Sequence, residues 1–149
     1  MSALRKFLAL SWRDRLLLLE AWCYLGAARI ALLTIPFRHI ARRLGRQFPA
    51  DHAIPSPSPA LPEARRIGWA VELMSRHTPW ESACLAQSMA GKFMLRRRGL
   101  TSWLFLGTRK EASGDLAAHA WLQSGDEILL GGAGRETFTA LSSFGEPVL

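Results

Sequence analysis

Two side chains in the second half of the chain, Cys84 and His119, are suited to nucleophilic chemistry. Cys84 comes early in a predicted helix, where the positive end of the helix dipole favours the thiolate form. His119 lies in a predicted strand over residues 118–123, with apolar neighbours on both sides, and a strand holds a general base rigidly. Each residue alone is more typical of core packing. Together they form the Cys–His arrangement that activates a thiol nucleophile.

A helix start signal precedes Cys84. Thr78 is the predicted cap, Pro79 is the first helical residue, and Glu81 follows three residues after the cap. The predicted helix ends at Gly99, after three arginines that suit the negative end of its dipole. Because a start at Pro79 places the cysteine in the second helical turn, the effect of the dipole on the thiol would be larger if the helix began nearer to Ser82.

After this helix the pattern changes from helical to extended. Residues 102–106 are apolar enough for a strand that is buried on both faces. Residues 118–123 and 127–130 form a predicted hairpin with a tight turn between them. If the turn centres on residues 125–126, Gln123 faces Ile128 across the hairpin.

The first third of the chain reads as helix. Ser11 is a predicted cap for a long apolar helix, Pro36 stops or kinks it, and Gly45 ends a further short helix. Cys23 lies within the long apolar run and is expected to be packed. A Pro- and Ser-rich stretch follows, and the next helix runs from Pro62 to His77. The predicted organisation is a basic amphipathic helical region over 1–48, a linker over 49–62 and a core over 63–149.

Charge is distributed unevenly along the 149 residues. Residues 1–66 carry 11 Lys and Arg against 4 Asp and Glu, whereas residues 67–149 carry 8 of each. The whole excess of +7 therefore belongs to the first part. The hydrophobic content of 49% excludes a disordered chain, and the length is that of one domain.

Other features of the sequence indicate which cofactors and which cellular compartment to expect. Two cysteines exclude a disulfide framework and a four-cysteine zinc site, and the histidines lack metal-ligand spacing, so we expect neither a metal nor a cofactor. No secretion signal is evident at the start. Glu20 and Arg29 interrupt the most apolar stretch, so the expectation is a cytoplasmic protein without a transmembrane span, with peripheral membrane contact possible.

The order of these residues resembles the transglutaminase-like cysteine protease superfamily. Trp80, Cys84 and Leu85 precede a helix that ends at Gly99, and a strand, the sequence Ala-His-Ala-Trp at 118–121 and a short hairpin follow. More narrowly, the chain is similar to the stand-alone leader peptidase of lasso-peptide biosynthesis, called the B protein. The resemblance implies an α+β fold, in which a helical N-terminal region precedes a transglutaminase-like (papain-like) core with its catalytic helix packed on a small antiparallel sheet.

The resemblance also implies a reaction. Cys84 would attack the scissile amide, His119 would act as general base and then general acid, and backbone N–H groups around Cys84 would stabilise the oxyanion. The implied partners are the precursor peptide with its leader and core, a small leader-binding recognition protein and an ATP-dependent lasso cyclase.

The third catalytic position departs from this family pattern. Such enzymes usually orient the histidine with an aspartate on the next strand, but the expected position reads here as Gly131 or Gly132. Asp115, Glu136 or a backbone carbonyl could orient His119 instead, and the sequence leaves this choice open.

Two other functions are compatible with the sequence. A transglutaminase-like acyl transferase or amidase would use the same Cys–His pair with a different acceptor. A non-catalytic basic binding protein would use the charge of residues 1–66 to contact nucleic acid or anionic lipid. Because no nucleic-acid-binding motif accompanies that charge, we expect no nucleic-acid partner.

Overall fold

The computed structural model describes residues 2–49, 51 and 60–145. Within these residues five α-helices and a five-stranded antiparallel sheet form, which confirms the predicted α+β class. The helices are Ala3–Ala9 (α1), Trp12–Thr34 (α2), Phe37–Arg43 (α3), Leu61–Ser75 (α4) and Cys84–Arg97 (α5). The strands are Arg46–Pro49 (β1), Trp103–Lys110 (β2), Leu116–Ser124 (β3), Glu127–Leu130 (β4) and Thr139–Gly145 (β5).

Several helix boundaries follow the local signals in the sequence. The Ser11 hydroxyl accepts a hydrogen bond of 3.2 Å from the Asp14 N–H and caps α2. Pro36 follows the end of α2 and separates it from α3. Gly99 has a φ of 73°, the left-handed conformation that ends α5. These three predictions are confirmed.

The predicted start of α5 at Pro79 is wrong, because the helix begins at Cys84. The Thr78 hydroxyl does not cap a helical turn. It donates to the Trp80 carbonyl over 2.9 Å and shares a 2.8 Å hydrogen bond with the Ser82 hydroxyl. These bonds stabilise a non-helical loop, so the cysteine lies at the very start of the helix rather than in its second turn.

The sheet has the strand order β1-β5-β2-β3-β4. The hairpin of β3 and β4 has the predicted pair of Gln123 opposite Ile128, but the register shifts at the next residue, where Leu122 pairs with Leu130. The sequence did not indicate β1 and β5, which pair from Arg46 opposite Gly145 to Pro49 opposite Ser142. Neither segment has a strong alternating pattern, and their pairing joins distant parts of the chain. The Pro- and Ser-rich run at 54–59 lies outside the described residues.

Helices α4 and α5 pack on one face of the sheet, α2 packs against both of these helices, and the three share a single hydrophobic core. Gly91 in α5 marks the contact with β3 and β4, since a Cβ there would lie 2.8 Å from Leu130 Cδ1 and 2.9 Å from Leu122 Cδ2. Leu18 and Leu25 of α2 belong to the same core. The division into 1–48, 49–62 and 63–149 stays a prediction.

The two sides of α2 have different surroundings. One side supplies buried residues to the core, whereas Cys23 on the other side is exposed, so the prediction that Cys23 is packed is wrong. An apolar helical run has two faces, and the pattern alone did not show which one meets the core. By length and composition alone, α2 is also apolar enough to cross a membrane, with a mean hydropathy of 1.7.

An aromatic cluster covers the opposite face of the sheet. Trp103, Phe105 and Trp121 are buried there, with Phe48 and Phe138 packed against them. The rings of Phe105 and Trp121 stack with their centroids 5.5 Å apart and their planes 5° from parallel. The side chains of β3 that alternate with its core-facing residues lie on this aromatic face of the sheet.

Trp121→Ala is expected to lower the free energy of unfolding by about 3–5 kcal/mol, because it deletes a large side chain that is 3% exposed. Trp12→Ala is the matched control. Trp12 is 63% exposed, so its loss should change stability by about 0.5 kcal/mol or less. Urea denaturation of both variants measures the difference, and equal losses would contradict the packing described above.

Candidate active site

Cys84 is the first residue of α5, and its thiol is half-buried. The preceding residue, Ala83, has no side chain that can cap the helix. The first helical hydrogen bond runs from the Gln87 N–H to the Ala83 carbonyl over 2.9 Å. The N–H groups of Cys84 and the next two residues therefore have no acceptor within the helix. They provide donors and positive potential beside the thiol, where an oxyanion would form.

The loop before α5 is fixed from both ends. The Gln87 side chain reaches back and donates to the Ser82 carbonyl over 2.8 Å. The ring of Trp80 packs on Gly26 of α2, where a Cβ would lie 3.2 Å away, and its centroid is 4.8 Å from that of Trp22. In the described part of the chain the buried Trp80 N–H has no hydrogen-bond partner. The sequence singled out Trp80 only as part of a motif, whereas the structure shows that it attaches this loop to α2.

His119 is half-buried on the aromatic face of the sheet. Its ring centroid is 5.0 Å from that of Phe138 and 5.9 Å from that of Trp121. Its Nε2 lies 2.6 Å from the carbonyl oxygen of Gly131. Because a carbonyl can only accept, Nε2 carries the hydrogen, and the lone pair of neutral His119 is on Nδ1. The Nδ1 lone pair is therefore the one available to accept a proton.

This hydrogen bond answers the question that the sequence left open about the third position. Of the alternatives, a backbone carbonyl is the one that contacts His119, and it belongs to Gly131. Asp115 and Glu136 are both exposed, and Asp115 accepts a hydrogen bond from the Ser113 hydroxyl. Gly131 can occupy this position because its φ of 74° is readily adopted by glycine.

Gly91 of α5 lies against Leu122 of β3, so the helix that begins at Cys84 packs on the strand that carries His119. Cys84 comes seven residues before Gly91, about 10 Å along the helix. His119 comes three residues before Leu122, about 10 Å along the strand.

The two side chains are not joined by a hydrogen bond in the part of the chain that the structure describes. By alternation along β3, the His119 ring shares a face with Trp121, whereas α5 lies over the face of Leu122. The structure thus positions each residue separately, and the Cys84–His119 pair stays a prediction.

Gly131→Ala is expected to displace the carbonyl that holds His119, because a Cβ there would overlap the Ala120 carbonyl oxygen. Gly134 is the matched control, since it has a similar φ of 77° and nothing within 4 Å of its Cβ position. Gly134→Ala should lower the free energy of unfolding by about 1–2 kcal/mol, which is the cost of the left-handed conformation for alanine. Nitrogen NMR shifts of the His119 ring report its tautomer populations, and these should change in Gly131→Ala but not in Gly134→Ala. The same spectrum in both variants would contradict the role of the Gly131 carbonyl in orienting His119.

A cysteine at a helix N-terminus and an oriented histidine on the adjoining sheet are the two kinds of group that thiol-dependent acyl transfer uses. Residues 31–143 match the family model of the transglutaminase-like superfamily, which spans most of the chain. The chain belongs to the transglutaminase-like superfamily, whose members are usually cysteine peptidases or acyltransferases. No curated protein and no solved structure matches it significantly.

Proposed function

We propose that this chain is a cysteine peptidase that cleaves the leader from a ribosomally made lasso-peptide precursor through a Cys84 thioester. The observation that carries the proposal is the position of Cys84 as the first residue of an uncapped helix within a transglutaminase-like domain. Because the Trp80–Leu85 and 118–121 motifs resemble those of the leader peptidases, the proposed substrate is a peptide amide.

In the proposed reaction, the Cys84 sulfur bonds to the scissile carbonyl carbon, and the thiol proton passes to Nδ1 of His119. The N–H groups at the start of α5 stabilise the oxyanion. When the carbon–nitrogen bond breaks, His119 returns the proton to the leaving amine. A water molecule then hydrolyses the thioester, with His119 again as the base.

His119 and Cys84 must come within hydrogen-bond reach for this transfer. Catalytic hydrogen bonds are often long or poorly aligned before substrate binds and shorten in the complex. The Gly131 carbonyl keeps Nδ1 as the basic nitrogen throughout, which is the contribution that an aspartate makes elsewhere in the family.

The proposal includes partners. A small leader-binding protein would present the precursor, because the described residues form one α+β core with no separate recognition module. An ATP-dependent cyclase would then close the ring with the amine that cleavage releases. An acidic leader or partner would suit the positive charge of residues 1–66.

The proposal is tested with the purified chain, a lasso-peptide precursor and a small leader-binding protein. Mass spectrometry should find free leader and free core, each with the mass that hydrolysis gives. A leader joined to an added amine would instead indicate the acyl transferase function. An intact precursor, with the chain folded and the partner present, would contradict both enzyme functions and favour a binding role.

A further inference from the structure

The face of α2 that points away from the core carries a row of apolar side chains. This exposed apolar stripe consists of Trp12, Leu16, Leu19, Cys23, Ile30 and Leu33. Its large side chains other than the cysteine are 49–66% exposed. Spacings of three, four and seven residues put them on one side of the helix, over a length of about 32 Å. An exposed apolar surface of this extent marks an interaction site.

Exposed basic side chains flank the stripe on both sides along the chain. Arg5 and Lys6 are exposed on α1, before the stripe begins. Arg38 and Arg42 are exposed on α3, after it ends. Among the described residues none of these four forms an ion pair with a carboxylate. An apolar helical face bounded by basic residues is the pattern of a helix that lies in the plane of a membrane surface.

The carboxylates of α2 do not offset this positive charge. Asp14 pairs with Arg66 of α4. Glu20 pairs with Arg97 of α5 and with Arg98, the latter over 2.8 Å. Both acidic side chains of α2 are therefore paired with arginines from the rest of the fold and do not offset the charge of the four flanking basic residues.

We propose that α1, α2 and α3 bind an anionic lipid bilayer, with the exposed apolar stripe at the level of the headgroups and upper acyl chains. The basic residues at its ends contact the lipid phosphates. Trp12 and Trp22 are both exposed on α2, and tryptophan is favoured at this depth of a bilayer. This proposal does not depend on the catalytic assignment.

The helix lies on the membrane and does not span it. Leu18 and Leu25, on the other side of α2, are at most 1% exposed and belong to the core with α4 and α5. Crossing the bilayer would remove them from that core and expose Glu20 to lipid. α2 is apolar enough to cross a membrane because both of its sides are apolar. One side packs in the protein core, and the other contacts lipid in this proposal.

The charge distribution favours lipid over a second copy of the chain. If two copies paired along their stripes, in either direction, basic ends would meet basic ends and repel. An anionic bilayer satisfies both the apolar row and its basic ends. A nucleic acid would satisfy only the charge.

The test measures co-sedimentation of the full chain with vesicles of phosphatidylcholine, alone or mixed with phosphatidylglycerol. We expect binding to the mixed vesicles and a shift of tryptophan emission to shorter wavelength. Leu19→Glu combined with Ile30→Glu should weaken binding at least tenfold, because both side chains would enter the apolar region. Arg38→Glu combined with Arg42→Glu should weaken it at least fivefold for each basic residue lost, without altering any core contact.

The matched control is Leu116→Glu combined with Leu141→Glu. These leucines are 72% and 59% exposed on the sheet, away from the stripe, so the control should bind as the unchanged chain does. Equal binding to both vesicle types, or unchanged binding of the stripe and arginine variants, would overturn the proposal. A lipid-free dimer that dissociates in the stripe variant would assign the surface to a second copy instead.

Discussion

Cys84→Ala is expected to abolish leader cleavage, with the rate falling to that of the reaction without enzyme. The thiol is the proposed nucleophile, and alanine leaves no atom that can form the thioester. Because Cys84 is half-buried at a helix start and alanine is a good helix former, the variant should fold normally. Cleavage of the precursor followed by mass spectrometry measures the effect, and circular dichroism checks the fold.

Cys23→Ala is the matched control for this prediction. It removes the other cysteine of the chain, which is exposed on α2 and distant in sequence from the proposed site. Cys23→Ala should retain full activity. In this variant a thiol-reactive peptide probe should label Cys84. If Cys84→Ala still cleaves the precursor, the nucleophile has been assigned to the wrong residue.

His119→Ala is expected to lower kcat about 10²- to 10⁴-fold, which is the usual contribution of a general base. The effect on KM should be small, because the imidazole acts on the proton and not on substrate affinity. The alkylation rate of Cys84 by iodoacetamide at neutral pH should fall in the same variant. This second measurement distinguishes loss of the base from loss of structure.

His39→Ala serves as the control for His119→Ala, since His39 is exposed on α3 and contacts Arg38. It should leave both kcat and the alkylation rate unchanged. If His119→Ala alters neither quantity, His119 is a packing residue of the aromatic face, and the activating base must be sought elsewhere around α5.

The sequence alone was sufficient for several helix boundaries. Ser11 and Gly99 act through local hydrogen bonds and backbone conformation, so their roles could be predicted from their neighbours. The start of α5 could not, because the Thr78 hydroxyl had several acceptors within reach and its bonds to the loop replaced those of a cap.

The group that orients His119 could not be identified from the sequence. A search for an orienting group in a sequence looks for a carboxylate, because every residue has a carbonyl and the pattern cannot distinguish one from another. The carbonyl of Gly131 contacts His119 only because β4 ends beside β3 with a left-handed glycine. No residue type signals that contact in advance.

Apolar periodicity and capping residues are properties of short segments, and they indicated most of the helices and the strands β2 to β4. The resemblance of the motifs around Cys84 and His119 to a known superfamily indicated the class of fold and the residues expected to react. Tertiary structure decided which face of α2 meets the core, how β1 and β5 complete the sheet, and which atom orients His119. These outcomes depend on contacts between residues far apart in the chain. Such contacts form only when the segments pack together, so no local pattern records them.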